Sequence, residues 1–202
     1  MWKCANCHHV EFVDTKPERC PVCGAESGKL LPHEVAKIKG RKTLNNIKAG
    51  FIAESQAHLR NVAFAMKAEQ ESYPQIAHLF RAVAEAEAVH AFNHLRLLDG
   101  VSGTQENLES AFERETLASN IYPHFISEAN EEGNASVAKI FSYSRDVERG
   151  HAKLYKKALQ HMIAESRTDY YVCEVCGYVS DGILPNECPV CSARKDKFKQ
   201  VV

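Results

Sequence analysis

Six carboxylate and imidazole side chains stand at spacings that suit metal binding. Glu87-x-x-His90 and Glu148-x-x-His151 each place an acid and a histidine three residues apart. On a helix, residues three apart share a face, so each pair can offer an oxygen and a nitrogen to one ion. Glu54 and Glu115 lie upstream of the two pairs, and an offset of 61 residues maps Glu54, Glu87 and His90 onto Glu115, Glu148 and His151. Four carboxylates and two imidazoles projecting into a helical core form the ligand set of a di-iron or di-manganese centre. A single Glu-x-x-His is usually a solvated helix face. Two of them, each with a glutamate at the same offset, point to a metal pair, because inward-facing glutamates without a cation cost on the order of several kcal/mol each.

Eight thiols form a second pattern. Cys4, Cys7, Cys20 and Cys23 make two Cys-x-x-Cys pairs near one end, and Cys173, Cys176, Cys188 and Cys191 make two near the other. One tight turn per pair aims both sulfurs at one ion, and two such turns complete a tetrahedral S₄ site for zinc or iron. A disulfide framework would suit an exported chain, and the start Met-Trp-Lys-Cys offers no apolar run for a signal peptide. The pattern predicts a soluble, unexported protein with two Cys₄ metal sites. Iron and zinc both remain open at each.

The residues between the clusters must position the carboxylates. Residues 35 to 165 are rich in Ala, Glu, Leu, Lys and Gln, with breakers at Ser72-Tyr73-Pro74, Gly100-Val101-Ser102-Gly103 and Gly133-Asn134. These predict four helices over roughly 41–71, 75–99, 105–132 and 135–165, with a kink or bend at Pro123. Apolar residues such as Ile76, Leu79, Phe80 and Val83 recur three and four apart, the pattern of a helix with one buried face. The expected architecture is an all-α four-helix bundle flanked by two small Cys₄ modules: 1–34, 35–166 and 167–202. The 61-residue overlay also aligns Phe51 with Phe112, Ala57 with Ala118 and Phe80 with Phe141. The bundle therefore reads as a duplicated helix pair.

Glu54-Ser-Gln-Ala-His58, the two Glu-x-x-His pairs and the terminal Cys₄ cluster together resemble the rubrerythrins. The segment from Tyr171 to Phe198, with Cys176-Gly177-Tyr178 and Cys188-Pro-Val-Cys191, is similar to a rubredoxin. The N-terminal cluster is a looser match, because His8 stands where such a turn commonly carries glycine at positive φ. A structural zinc ribbon is the alternative for either module. The resemblance implies a ferritin-like di-iron bundle and a cytoplasmic peroxidase, an oxidoreductase serving oxidative-stress defence. Electrons from an external reductase or rubredoxin-type carrier would enter at a Cys₄ iron and reach the di-iron site, where hydrogen peroxide becomes water. The alternative is a ferroxidase or iron-handling protein with structural Cys₄ sites.

Three features depart from the common family pattern. Cys₄ modules occur at both ends rather than one. Ala118 occupies the place of an extra carboxylate three residues beyond Glu115, leaving a six-ligand site without the redox-linked iron shift tied to that group. Asn61 replaces a tyrosine seven residues beyond Glu54, while Tyr122, seven beyond Glu115, is a candidate hydrogen-bond donor to the site.

Chain length bears on assembly. In the family's bundles the second and third helices run parallel, which on these boundaries demands a climb of ~33 Å at 1.5 Å per residue. A linker of about five residues, 100–104, reaches ~18 Å. The expectation is a homodimer in which helices one and two of one chain complete the site with helices three and four of its partner. An all-antiparallel bundle within one chain is the competing arrangement.

Composition narrows the function classes. Hydrophobic residues make up 45% and charged residues 25%, and 25 basic against 26 acidic side chains leave a net charge of −1. No basic field is available for a nucleic-acid backbone, no apolar stretch spans a bilayer, and no glycine-rich nucleotide fingerprint occurs. His8, His9, His33, His78, His94, His124 and His161 lack partners at ligand spacing and read as surface or packing residues. His58, four beyond Glu54, is a candidate for a hydrogen bond behind the ligands.

Overall fold

A computed structural model describes residues 2–7, 10–11, 15–32, 38–160 and 168–201. Two compact units divide the chain, residues 1–101 and 102–202. The first holds β1 (Trp2–Cys4), β2 (Val10–Glu11), β3 (Leu30–Pro32), α1 (Arg41–Gln70) and α2 (Pro74–Leu97). The second holds α3 (Thr104–Glu131), α4 (Ala135–Gln160), β4 (Tyr170–Cys173), β5 (Val179–Asp181) and β6 (Phe198–Val201). The four expected helices and two Cys₄ modules are all present. His8, His9, His33 and His161, the module boundaries near 34 and 166, and the expected end of α4 at 165 lie outside the described residues.

Each unit carries one helical hairpin, α1 on α2 and α3 on α4. Small residues line the seams: Ala68, Ala77 and Ala91 are buried in the first hairpin, and Ala129, Ala138 and Ala152 in the second. These are the same three positions at the 61-residue offset. The duplication extends to the aromatic contacts, with Phe64 and Phe80 centroids 5.5 Å apart and Phe125 and Phe141 5.7 Å apart. Each hairpin keeps large apolar side chains exposed, among them Leu59, Met66, Leu79 and Phe92 in the first and Leu117, Ile121 and Ile140 in the second.

The hairpin turns repeat as well. The Tyr73 N–H donates to the Ala68 carbonyl at 2.8 Å, and the Asn134 N–H to the Ala129 carbonyl at 2.7 Å. This i-to-i+5 closure needs a left-handed residue just before the donor. Gly133 supplies it at φ 78°, and Ser72 adopts it at φ 63°. Serine bears a Cβ penalty there that glycine avoids. Ser72→Gly should therefore stabilise the first unit by roughly 0.5–1 kcal/mol, visible as a higher melting temperature.

Helix α2 begins with Pro74 at its first position, where the missing N–H has no helical partner to lose. Helix α3 continues through Pro123. In the terminal modules β1 pairs antiparallel with β2 and β3, and β4 with β5 and β6. Each is a three-stranded sheet too small for an ordinary core. Cys4, Cys20 and Leu30 form that core in the first module, with Trp2, Cys7 and Ala25 packed on it. Modules of this size commonly depend on a bound metal for stability.

Candidate metal centres

The four sulfurs of each Cys₄ cluster lie within 4.8 Å of one another. Cys4 and Cys23 sulfurs are 3.7 Å apart and Cys7 and Cys20 3.6 Å. Their C-terminal counterparts, Cys173 with Cys191 and Cys176 with Cys188, are 3.8 and 3.6 Å apart. A tetrahedron of ~2.3 Å metal–sulfur bonds has edges of about 3.8 Å. The spacing fits one iron or zinc ion per cluster, and no disulfide is formed.

Turn geometry brings the sulfurs together. Gly24, Gly177 and Ser192 have φ values of 70°, 83° and 61°, and their N–H groups donate to Cys20, Cys173 and Cys188 carbonyls. Each is the residue after a Cys-x-x-Cys pair, where the chain must reverse in the left-handed region. Asn6 adds a contact special to the N-terminal module, its side-chain amide donating to Cys23 Sγ at 3.5 Å. That hydrogen bond is the main influence holding the exposed Cys23 thiol down to about 6. In the C-terminal module burial pushes the Cys176 and Cys191 thiols up instead.

The carboxylates and imidazoles gather as two triads. Glu54, Glu87 and His90 place one ligand atom each within 4.8 Å of one another, as do Glu115, Glu148 and His151. His90 Nδ1 lies 3.0 Å from a Glu87 oxygen and 4.0 Å from Glu54. His151 Nδ1 lies 3.1 Å from Glu148 and 3.7 Å from Glu115. Neighbouring ligands at right angles on bonds of ~2.1 Å stand about 3 Å apart, so both triads fit iron. All six residues sit where the sequence puts them, one carboxylate on α1 or α3 and the Glu-x-x-His on the following helix.

His151 has a second contact on its other ring nitrogen. Its Nε2–H donates to the Gly177 carbonyl at 3.2 Å. With the proton on Nε2, the Nδ1 lone pair points at the Glu148 and Glu115 oxygens, an arrangement that calls for a cation or an extra proton between them. Burial, with the neighbouring Glu148 carboxylate adding to it, pushes the Glu115 carboxyl up to about 7. A raised acid favours the folded state below its unfolded value near 4.5 and loses that contribution as pH rises through about 7. Metal binding near pH 6 should accordingly expel a proton from Glu115. Calorimetry of ferrous binding in buffers of different ionisation enthalpy would measure it, and Glu115→Gln should reduce the release.

The C-terminal module is held on α4 at two points. Besides the His151–Gly177 bond, Lys157 Nζ forms an ion pair with Asp181 on β5. The contact shields one imidazole: the His151 side chain is 23% exposed and that of His90 56%. Sequence reasoning placed the C-terminal Cys₄ cluster and the His151 triad separately and missed this junction. No residue type signals it, because the acceptor is the backbone carbonyl of Gly177, and that glycine reads from sequence only as the left-handed turn after Cys176, with φ 83°.

Two secondary candidates receive different surroundings. His58 Nδ1 donates to the Ala84 carbonyl of α2 at 2.8 Å, fastening α1 to α2. The Tyr122 ring packs against Phe125 and Phe141, at 5.9 and 6.1 Å between centroids. A cavity of about 370 Å³ lies beside His151, lined otherwise by Leu108, Leu154, Tyr155, Tyr170 and Val179 among others. Among the described residues no helix is long and apolar enough to cross a membrane.

The chain is similar to known proteins over most of its length. The rubrerythrin family model matches residues 45–106 and 106–179, and the rubredoxin-like domain of rubrerythrin matches 171–199. Nigerythrin of Nitratidesulfovibrio vulgaris is 32% identical over 178 residues, covering 77% of this chain and 85% of that protein. Rubrerythrin of Porphyromonas gingivalis is 34% identical over 182 residues, covering 80% and 91%. A structure of partially reduced nigerythrin aligns with TM-score 0.49 and 31% identity over 82% of this chain and 90% of that one.

Proposed function

The chain belongs to the rubrerythrin family, and from that premise we propose that it is a cytoplasmic di-iron peroxidase. It reduces hydrogen peroxide to water with electrons relayed through the C-terminal Cys₄ iron. The observation that carries this reading is the hydrogen bond from His151 Nε2–H to the Gly177 carbonyl. Gly177 follows Cys176 directly, so a Cys₄ ligand, one peptide unit and one imidazole connect the two metal sites. When bound, a reduced iron pair supplies the two electrons in H₂O₂ + 2 e⁻ + 2 H⁺ → 2 H₂O.

The chain's own groups prepare that chemistry. Glu54, Glu87 and His90, with Glu115, Glu148 and His151, hold the two ions and keep opposite charge close to them. The mostly apolar cavity beside His151 suits a small neutral oxidant better than an anion. Glu115 can hold a proton near neutral pH before the metal binds. An external reductase or rubredoxin-type carrier feeds the terminal iron.

Helix lengths support an assembly by exchange of hairpins. From Glu87 to the end of α2 at Leu97, and from the start of α3 at Thr104 to Glu115, the helices cover about 31 Å in total. The connection from 97 to 104 reaches at most about 25 Å. Parallel α2 and α3 around one metal pair therefore cannot come from one chain. The exposed apolar side chains of each hairpin support the same reading: a homodimer in which each hairpin completes a bundle with the complementary hairpin of the partner.

Ala118, in the place of the extra carboxylate, favours a second reading, ferroxidase chemistry on the same ligands. Steady-state turnover separates the two. A peroxidase consumes peroxide continuously with reductant, in a ratio of one peroxide to two electrons. A ferroxidase takes up ferrous iron beyond its site content and releases ferric product.

A further inference from the structure

The two Cys₄ modules surround their sulfurs differently. Aligned on their first pairs, Cys4-Ala5-Asn6-Cys7 and Cys173-Glu174-Val175-Cys176 differ at the residue before the second cysteine. The Asn6 side-chain amide donates to Cys23 Sγ at 3.5 Å, whereas Val175 carries no polar side-chain atom. The sulfurs also differ in solvent access: Cys23 is exposed, and Cys191, its counterpart, is only partly so.

We propose that Asn6 holds the N-terminal Cys₄ iron at a higher reduction potential than the C-terminal one. Ferric iron with four thiolates carries a net charge of −1, and the ferrous form carries −2. An N–H pointed at a sulfur and contact with water both stabilise the more negative, reduced form. Burial opposes it. Both differences act in one direction, toward easier reduction at the N-terminal site. The half-reaction is a one-electron ferric-to-ferrous step with the electron supplied by the external donor and no proton taken up. Electrons entering the chain therefore settle first on the N-terminal iron, leaving the C-terminal iron as the stronger reductant beside His151. Asn6 touches no substrate; it is a positioning residue acting through Cys23.

The test is a redox titration of the full chain reconstituted anaerobically with iron, following the visible bands of the Cys₄ sites. It rests on iron in both modules and is independent of the oxidant, so iron analysis separates its failure from that of the peroxidase reading. The native chain should titrate in two waves. Asn6→Val should lower the upper wave roughly tenfold in equilibrium constant, about 59 mV for one electron, with iron content unchanged. Val175→Asn should raise the lower wave and leave the upper one in place. A single unsplit wave would overturn the proposal, as would an upper wave that Asn6→Val leaves unmoved, or an N-terminal site that does not retain iron.

Discussion

Replacing His151 by alanine should reduce peroxide turnover at least 100-fold and leave the Cys₄ iron trapped in its reduced state when peroxide is added. One substitution removes two functions, because Nδ1 faces the Glu115 and Glu148 oxygens while Nε2–H holds the Gly177 carbonyl. Loss of a partner behind a ligand alone costs roughly 10–100-fold in metal affinity or activity, so loss of the ligand itself belongs at or beyond the upper end. His90→Ala is the instructive companion. It removes the corresponding Nδ1 from the other triad and should also abolish turnover, while the His151–Gly177 junction stays intact. Lys157→Ala should have a much smaller effect, since its pair with Asp181 fastens the module through a side chain that is 61% exposed. Metal content, turnover and the Cys₄ spectrum, measured on the three variants, check the ordering. Full turnover in His151→Ala would remove the proposed route.

The second large effect is a gain rather than a loss. A chain carrying Glu87→Ala with His90→Ala has a dead first hairpin, and one carrying Glu148→Ala with His151→Ala a dead second hairpin. Each alone should be inactive. Unfolded together and reassembled with iron, they should recover about one quarter of native activity if hairpins exchange between chains. Half the dimers are then mixed, and each mixed dimer has one bundle built from two intact hairpins. A bundle formed within one chain gives no recovery at any mixing ratio. Activity and bound iron per chain, measured against the mixing ratio, decide between these arrangements.

The candidate ligands were legible because their signal is periodic twice over. Glu87 and His90 share a helix face, and the 61-residue repeat supplies Glu148 and His151 as an independent copy. The structure gathers both sets with their upstream glutamates. Helix existence was equally legible, and the ends of α1, α2 and α3 differ from expectation by at most two residues, for local reasons. Helix α2 starts on Pro74 itself, and it stops at Leu97 because Asp99 turns left-handed at φ 51° while the Gly100 N–H returns to the Leu95 carbonyl. The junction at Gly177 was not legible. It is made by a backbone carbonyl, which has no residue signature, and it depends on how β4 and β5 dock on α4. Asn6 escaped notice because the inner positions of Cys-x-x-Cys read as spacers until the second pair of sulfurs is folded against them. Tyr122 shares the face of Glu115 by periodicity, yet seven residues carry it about 10 Å along the helix, where Phe125 and Phe141 flank its ring.

The central claim is that electrons pass from the C-terminal Cys₄ iron to the carboxylate-bound iron pair and on to peroxide. The most direct measurement is a single turnover. Fully reduced, iron-loaded protein is mixed anaerobically with a stoichiometric amount of peroxide while the ferric Cys₄ absorption is followed in time. The account predicts that this band returns rapidly in the native protein and far more slowly in His151→Ala. A band that stays absent in native protein while peroxide is consumed, or returns equally fast without His151, would contradict it.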